Sequence, residues 1–209
     1  GGFDSYGVIC GYDDDRFYYL FGEDERPAVY PERFFELIFL KEQKERPPLT
    51  EVYRRTVLEL PAMLTRPETE RFSFGRQAFA DWAGSLQNGT FDSISLDDPV
   101  WYTHGGTFSC WSMHGNYLCM LGTNACAAGF LERALALNPD MEFINRLLPL
   151  YQKHNGEGFG KLIGMENGFE LHPRVLQDRA RMKPVCDQIL ETGKILDEIL
   201  AVFDAAGIT

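Results

Sequence analysis

The sequence has no excess of positive charge, and this absence limits what the protein can bind. Its formal net charge is −11 at pH 7 and its pI is near 4.8. A protein that binds nucleic acid or an anionic membrane surface needs basic side chains to neutralise phosphates. The sequence also lacks an uninterrupted run of about 18 apolar residues. We therefore expect no nucleic-acid partner and no membrane partner.

The motifs of several large enzyme classes are absent as well. The sequence has no P-loop, no G-x-S-x-G and no dinucleotide fingerprint, and its glycines at 156, 158 and 160 follow no predicted strand. Neither C-x-x-C nor H-x-x-x-H occurs, so we expect no metal site and no cofactor. Five cysteines, three of them within one apolar stretch, indicate reduced thiols in a cytoplasmic protein.

The apolar stretch at residues 107–137 is the most distinctive feature that is present. It has almost no charge before Glu132, and its glycines at 115, 122 and 129 recur every seven residues. A helix that is apolar on nearly every face belongs inside a bundle, and glycines at this spacing fall on one stripe. The pattern predicts one buried helix with a groove in which another helix backbone packs closely.

The first forty residues favour strands over helices. Residues 6–10 and 16–21 are aromatic or β-branched and flank an Asp/Gly turn, which predicts a β-hairpin. Residues 33–41 predict a further strand. The adjacent Asp13, Asp14 and Asp15 are interpreted as a solvated hairpin tip, because the ligands of a calcium loop alternate. We expect an α+β fold, predominantly α, with a small antiparallel sheet packed on a bundle of about five helices.

The periodic spacing of apolar residues predicts the remaining helices. Helices are predicted over residues 50–65, 75–88, 141–153 and 173–205, and the glycine-rich residues 155–172 predict a flexible connection. The predicted organisation is a β-hairpin/sheet segment at residues 1–45 and a helical bundle at residues 46–209, together forming one compact unit. Gly1 and Gly2 resemble a tag remnant, so we expect the natural protein to begin upstream.

Cys110 and His114 are the candidate catalytic pair. Their i, i+4 spacing puts both side chains on one helical face. A helix N-terminus lowers the pKa of a thiol, and an adjacent imidazole can accept the thiol proton. The neighbouring Phe108, Trp111 and Met113 fit a core or a pocket wall equally well, so both interpretations stay open.

A ligand pocket is predicted between the hairpin, residues 90–106 and the start of the apolar helix. A loop of that length inside a compact domain is often functional. The ligand would be a small molecule or a peptide. The expected lining residues are Tyr12, Trp101, Tyr102, His104, Trp111 and His114.

Three segments also resemble a known group of proteins. YGVICGYDDDRFYYL resembles the W-G-x-I-x-G-Y-D-D-E strand pair of uncharacterised bacterial proteins related to the papain-like, bacteriocin-processing peptidases and the butirosin-biosynthesis type acyltransferases. FGRQAFADWAGSL resembles their next helix, G-x-x-A-x-x-x-W-x-x-x-L, and GNYLCMLGTNACAAGFL resembles the Ala-rich helix that follows. The resemblance implies a papain-like core in which a Cys on an early helix acts with a His on a later strand.

The sequence departs from that pattern at the catalytic positions. No Cys-bearing helix precedes the strand pair, and Asp4-Ser5-Tyr6 stands where a His is expected. We therefore expect a non-catalytic or degenerate relative that binds a small molecule or peptide. The alternative is a cysteine hydrolase or acyltransferase whose nucleophile lies upstream or at Cys110. A third interpretation is a structural module that forms a homo-oligomer, because a glycine-striped helix can pack against its own copy.

Overall fold

The chain consists of two compact units, Gly1–Arg46 and Pro47–Thr209. The computed structural model describes residues 8–13, 16–20, 28–30, 45–89, 92–93, 113–122, 126–166, 168 and 173–208.

The first unit contains three short strands in one antiparallel sheet. They are β1 (Val8–Asp13), β2 (Arg16–Leu20) and β3 (Ala28–Tyr30), in the order β1-β2-β3. The register shifts between Ile9 and Gly11, so β1 carries a bulge against β2. The strand predicted at residues 33–41 lies outside the described residues.

The second unit is mostly helical in its described residues. Its elements are α1 (Leu49–Leu64), α2 (Gly75–Gln87), α3 (Met113–Gly122), α4 (Ala127–Leu137), α5 (Ile144–Lys153), a π-helical segment (His154–Phe159), α6 (Gly160–Gly164), α7 (Pro173–Leu176) and α8 (Arg179–Ala205).

The predicted fold class, an antiparallel sheet packed on a helical bundle, is wrong. The described part of Pro47–Thr209 is mostly helical and contains no strand, so within these residues the helices have no sheet to pack on. The physical reason is that the helices bury their apolar faces against one another. Both core clusters of the described residues consist of side chains from the helices and their connections.

Helix α8 is the central element of this unit. It has 27 residues, about 40 Å at 1.5 Å per residue. Asp178 caps its start, where the carboxylate accepts hydrogen bonds from the backbone N–H groups of Ala180 and Arg181 at 3.0 and 3.1 Å. Its first half lies in one core cluster with α2, α3, α6 and α7, and its second half lies in the other with α1, α4 and α5.

The prediction of one buried helix over residues 107–137 is also wrong. The structure has two helices there, α3 and α4, and they lie in different core clusters. Their apolar residues are divided accordingly, with Leu118 in one cluster and Leu131 in the other. Met120 is 68% exposed, so α3 is not enclosed on every face.

The predicted glycine groove is not seen at Gly122 and Gly129, the two glycines of the stripe whose surroundings the structure describes. An added Cβ at Gly122 would meet the Phe159 ring at 3.0 Å, whereas one at Gly129 would meet nothing within 4 Å. Gly129 is exposed. Because α3 and α4 are separate helices, the seven-residue spacing does not create a common stripe.

The predicted flexible connection at residues 155–172 is replaced in its first half by helix. Helical structure runs without a break from Ile144 through α5 and the π-helical segment to Gly164 at the end of α6. Composition predicted a loop because glycine costs about 1 kcal/mol against alanine inside a helix. Packing against α8 overcomes that cost.

Candidate functional site

Two buried histidines flank a pair of aromatic rings between α2, α3 and the π-helical segment. His114 is 0% exposed and His154 is 1% exposed. The His114 ring lies 5.3 Å from the Trp82 ring, and the His154 ring lies 5.9 Å from the Phe79 ring in an edge-on contact. Phe79 and Trp82 stand 6.2 Å apart, so the four rings form a continuous row.

One hydrogen bond fixes the tautomer of His114. The Trp82 indole Nε1–H donates to His114 Nδ1 at 3.1 Å. An indole nitrogen is a donor only, so Nδ1 must hold a lone pair and the ring proton must be on Nε2. Nε2 is buried, and no described residue accepts a hydrogen bond from it.

Burial also sets the charge of both histidines. Desolvation lowers the pKa of His114 and the pKa of His154 to about 4 each. Both imidazoles are therefore neutral at neutral pH. His114 offers an N–H donor to its surroundings and has no free basic nitrogen for an incoming proton.

The π-helical segment is held in place by two residues of α8. Gln188 Nε2 donates to the backbone carbonyl of Glu157 at 2.9 Å. One turn further along, Thr192 packs against Gly158 so closely that an added Cβ there would lie 2.5 Å from Thr192 Cγ2. A π-helical turn is rare and occurs frequently at functional sites. The contacts explain why this turn is stable here.

A cleft opens at the surface where the π-helical segment meets α8. Its volume is about 330 Å³, at the lower end of the range of ligand sites, about 300–1,000 Å³. We call it the π cleft, and all but one of its lining residues are polar or charged. They are Lys153, Glu157, Lys161, Gln188, Glu191, Thr192, Lys194, Ile195 and Glu198.

Most of the predicted site residues lie outside the described part of the chain. These are Cys110, Trp101, Tyr102, His104 and Trp111. Tyr12 lies in strand β1, where the structure describes its backbone pairing with Phe17. His114 is the one member whose side chain is described. The Cys110–His114 pair and the predicted pocket thus stay predictions.

The described cysteines of the helical unit show no catalytic pairing. Cys119 and Cys126 are exposed and Cys186 is buried. The thiol of Cys186 donates to the carbonyl of Ala83 at 3.6 Å, and burial raises its pKa. A thiol with a raised pKa forms less of the reactive thiolate, so Cys186 is a structural side chain.

The described residues contain neither a cluster of metal ligands nor a membrane-spanning helix. No three His, Cys, Asp or Glu side chains of the described residues group closely enough to hold a metal ion. None of the described helices combines the length and the apolar character that crossing a bilayer requires.

Sequence reasoning missed the residues that build the π cleft. Lys153 is at the end of the helix predicted at residues 141–153, and Lys161 is in the flexible connection predicted at residues 155–172. The sequence pattern indicates no site role for these lysines or for Gln188. The available signal is the glycine triplet at 156, 158 and 160, which follows no predicted strand and so does not match a phosphate-binding motif. Small residues also mark places where two helices cross closely, and Gly158 has that role here.

No protein-family model, no curated protein and no solved structure matches this chain. The resemblance to the papain-like clan therefore stays a prediction.

Proposed function

We propose that this chain is a non-catalytic protein that binds a small polar molecule or a short peptide in the π cleft. The observation that carries the proposal is the cleft itself, an open volume of about 330 Å³ beside a π-helical turn. Its two walls are fixed to each other by the bond from Gln188 to Glu157 and by the close contact of Thr192 with Gly158. A site with rigid walls loses little entropy when a ligand binds.

The lining of the cleft favours a polar ligand. Ile195 is its one apolar residue, and the remaining lining residues carry charges of both signs or amide and hydroxyl groups. An apolar ligand would remove water from these groups and would offer no hydrogen bonds in place of those that the water made. A ligand that carries its own donors, acceptors or charges avoids that loss.

The geometry of His114 supports binding over cysteine catalysis. A general base for a thiol needs an unprotonated nitrogen within hydrogen-bond reach of the thiol. In His114 that nitrogen is Nδ1, and the Trp82 N–H already occupies it. With this tautomer His114 presents an Nε2–H, which donates a hydrogen bond and does not accept a proton.

Chemical-shift mapping tests the proposal. Amide NMR spectra would be recorded while a panel of free amino acids, short peptides and small polar metabolites is added. We expect at least one member to shift the amide signals of Glu157, Thr192 and Ile195. A Glu191→Trp variant should abolish these shifts by filling the cleft. Glu132→Trp is the matched control, since it places the same bulky ring on the exposed side of α4.

Two results would show that the proposal is wrong. In one, no compound in the panel shifts the cleft signals. In the other, Glu191→Trp binds the same compound as well as the unmodified protein does.

A further inference from the structure

Some of the charged side chains in the π cleft form ion pairs with each other, and others do not. Lys153 donates to both carboxylate oxygens of Glu198, at 2.7 and 3.0 Å. Lys194 forms an ion pair with Glu191, three residues earlier on the same helix. These contacts neutralise two lysines and two glutamates within the protein itself.

Lys161 is the cleft lysine that is left without such a partner. Within the described part of the chain, no carboxylate oxygen lies within 4.0 Å of its ammonium group, and each of the other two cleft lysines has one. Its side chain is exposed, at the α6 edge of the cleft. An anionic group of a ligand would find its counter-charge here.

Glu157 is the third glutamate of the cleft, and its carboxylate forms no ion pair within 4.0 Å among the described residues. It still influences Lys153, whose pKa is raised first by the hydrogen bond to Glu198 and further by the charges of Glu198 and Glu157. Glu157 and Lys161 lie four residues apart on the same wall. The cleft therefore presents one available negative and one available positive group.

The uncharged residues of the cleft use their polar groups internally. Gln188 Nε2 donates to the Glu157 carbonyl and, at 3.3 Å, to Thr192 Oγ1. The Thr192 hydroxyl donates to the Gln188 carbonyl at 2.8 Å. The donors of these two side chains are thus used within the wall, which leaves Glu157 and Lys161 as the charged groups for recognition.

We propose that the ligand of the π cleft is a zwitterion, a free amino acid or a short peptide, whose carboxylate pairs with Lys161 and whose ammonium group lies beside Glu157. This inference rests on the proposed function and specifies its ligand class. A phosphate ester fits less well, because within the described residues only one cleft lysine is unpaired and the unpaired carboxylate of Glu157 would repel a second negative charge. The net charge of −11 acts in the same direction.

The test compares trialanine with two derivatives that each lack one charge. Trialanine amide has no carboxylate, and N-acetyl-trialanine has no ammonium group. Dissociation constants come from the shifts of the cleft amide signals at low salt. We expect trialanine to bind about two- to fivefold more tightly than either derivative, as each exposed ion pair contributes about 0.4–1 kcal/mol.

Two variants assign the charges to residues. Lys161→Gln should weaken trialanine binding to the level of the amide and leave the affinity for the amide unchanged. Glu157→Gln should weaken trialanine binding to the level of N-acetyl-trialanine and leave the affinity for N-acetyl-trialanine unchanged. Lys183→Gln is the matched control, because this lysine pairs with Asp187 and does not line the cleft.

The outcomes separate this inference from the proposed function. Equal binding of trialanine and its amide in the cleft, or a Lys161→Gln variant that still distinguishes them, would overturn the zwitterion inference and leave a cleft that binds peptides. If no zwitterion of the panel, neither trialanine nor a free amino acid, shifts any cleft signal while a polar compound without both charges does, the inference also fails and the proposed function stands. If no compound binds there, both fail.

Discussion

The contact of Gly158 with Thr192 provides the sharpest test of how the π-helical segment is held. Replacing Gly158 by alanine would place a Cβ 2.5 Å from Thr192 Cγ2, closer than real Cβ atoms approach their neighbours. Thr192 is fully buried, and its hydroxyl is bonded to the Gln188 carbonyl. It cannot rotate away without losing that hydrogen bond.

The expected size of the effect comes from two opposing contributions. Overpacking a buried contact costs about 1–3 kcal/mol. Alanine recovers up to about 1 kcal/mol relative to glycine in a helix. We therefore expect Gly158→Ala to lower the free energy of unfolding by about 1–2 kcal/mol.

Gly156 is the matched control two residues away. It is exposed, and an added Cβ would meet nothing within 4 Å. Gly156→Ala should leave the free energy of unfolding unchanged or raise it by up to about 1 kcal/mol. Both variants replace glycine by alanine within the same π-helical segment. Any difference between their free energies of unfolding therefore comes from the contact with Thr192.

Urea denaturation of a double-mutant cycle completes the test. Thr192→Ser removes the Cγ2 methyl and keeps the hydroxyl, so it should recover about 1 kcal/mol or more of the loss in the Gly158→Ala background. If Gly158→Ala is as stable as Gly156→Ala, or if Thr192→Ser recovers nothing, the close crossing of the π-helical segment and α8 is refuted.

Two further predictions concern titration and thiol chemistry. The folded pKa of His114 and His154 is about 4, below the usual 6.5, so the unfolded state binds more protons as pH falls from 6.5 towards 4 and stability decreases. Between about pH 7 and pH 5 the loss should be about 2 kcal/mol per histidine in the free energy of unfolding. In thiol labelling, Cys186 should react much more slowly than Cys119, because it is buried and its pKa is raised.

Each of these has its own control. His114→Asn keeps an acceptor for the Trp82 N–H and should lose about 2 kcal/mol less than the unmodified protein over this pH range. Leu118→Ala destabilises the same helix without removing a titratable group, and its pH dependence should match that of the unmodified protein. An unchanged pH dependence in His114→Asn would contradict a neutral buried imidazole. Labelling of Cys186 as fast as Cys119 would contradict its burial.

Helical periodicity predicted most of the bundle because its signal is local. In the helix predicted at residues 173–205, the apolar residues Val185, Ile189, Ile199 and Phe203 are buried in α8, and the predicted end at residue 205 is where this helix stops. The helix predicted at residues 50–65 corresponds to α1, Leu49–Leu64. In these helices the spacing of apolar residues and the burial that stabilises them agree.

The failures occur where distant residues decide the local structure. Residues 154–159 contain two glycines and no apolar stripe, and nothing nearby in the sequence indicates that Gln188 and Thr192 hold them in a helical turn. The prediction of one helix over residues 107–137 is wrong for a related reason. Apolar residues on every face predict burial, but they do not reveal that α3 and α4 are buried in two different clusters.

The hydrogen-bond partner of His114 is also distant in the sequence, and its identity changes what this residue can bind. Sequence spacing paired it with Cys110, whereas its described hydrogen bond comes from Trp82, 32 residues earlier. With the Trp82 N–H on Nδ1, the proton occupies Nε2, and a metal ion at Nε2 would have to displace it. The proton would then move to Nδ1 and face another N–H across 3.1 Å, an arrangement of two donors. His114 is consequently suited to donate one hydrogen bond from Nε2 to an acceptor, and neither to ligate a metal ion nor to serve as a base while Trp82 holds Nδ1.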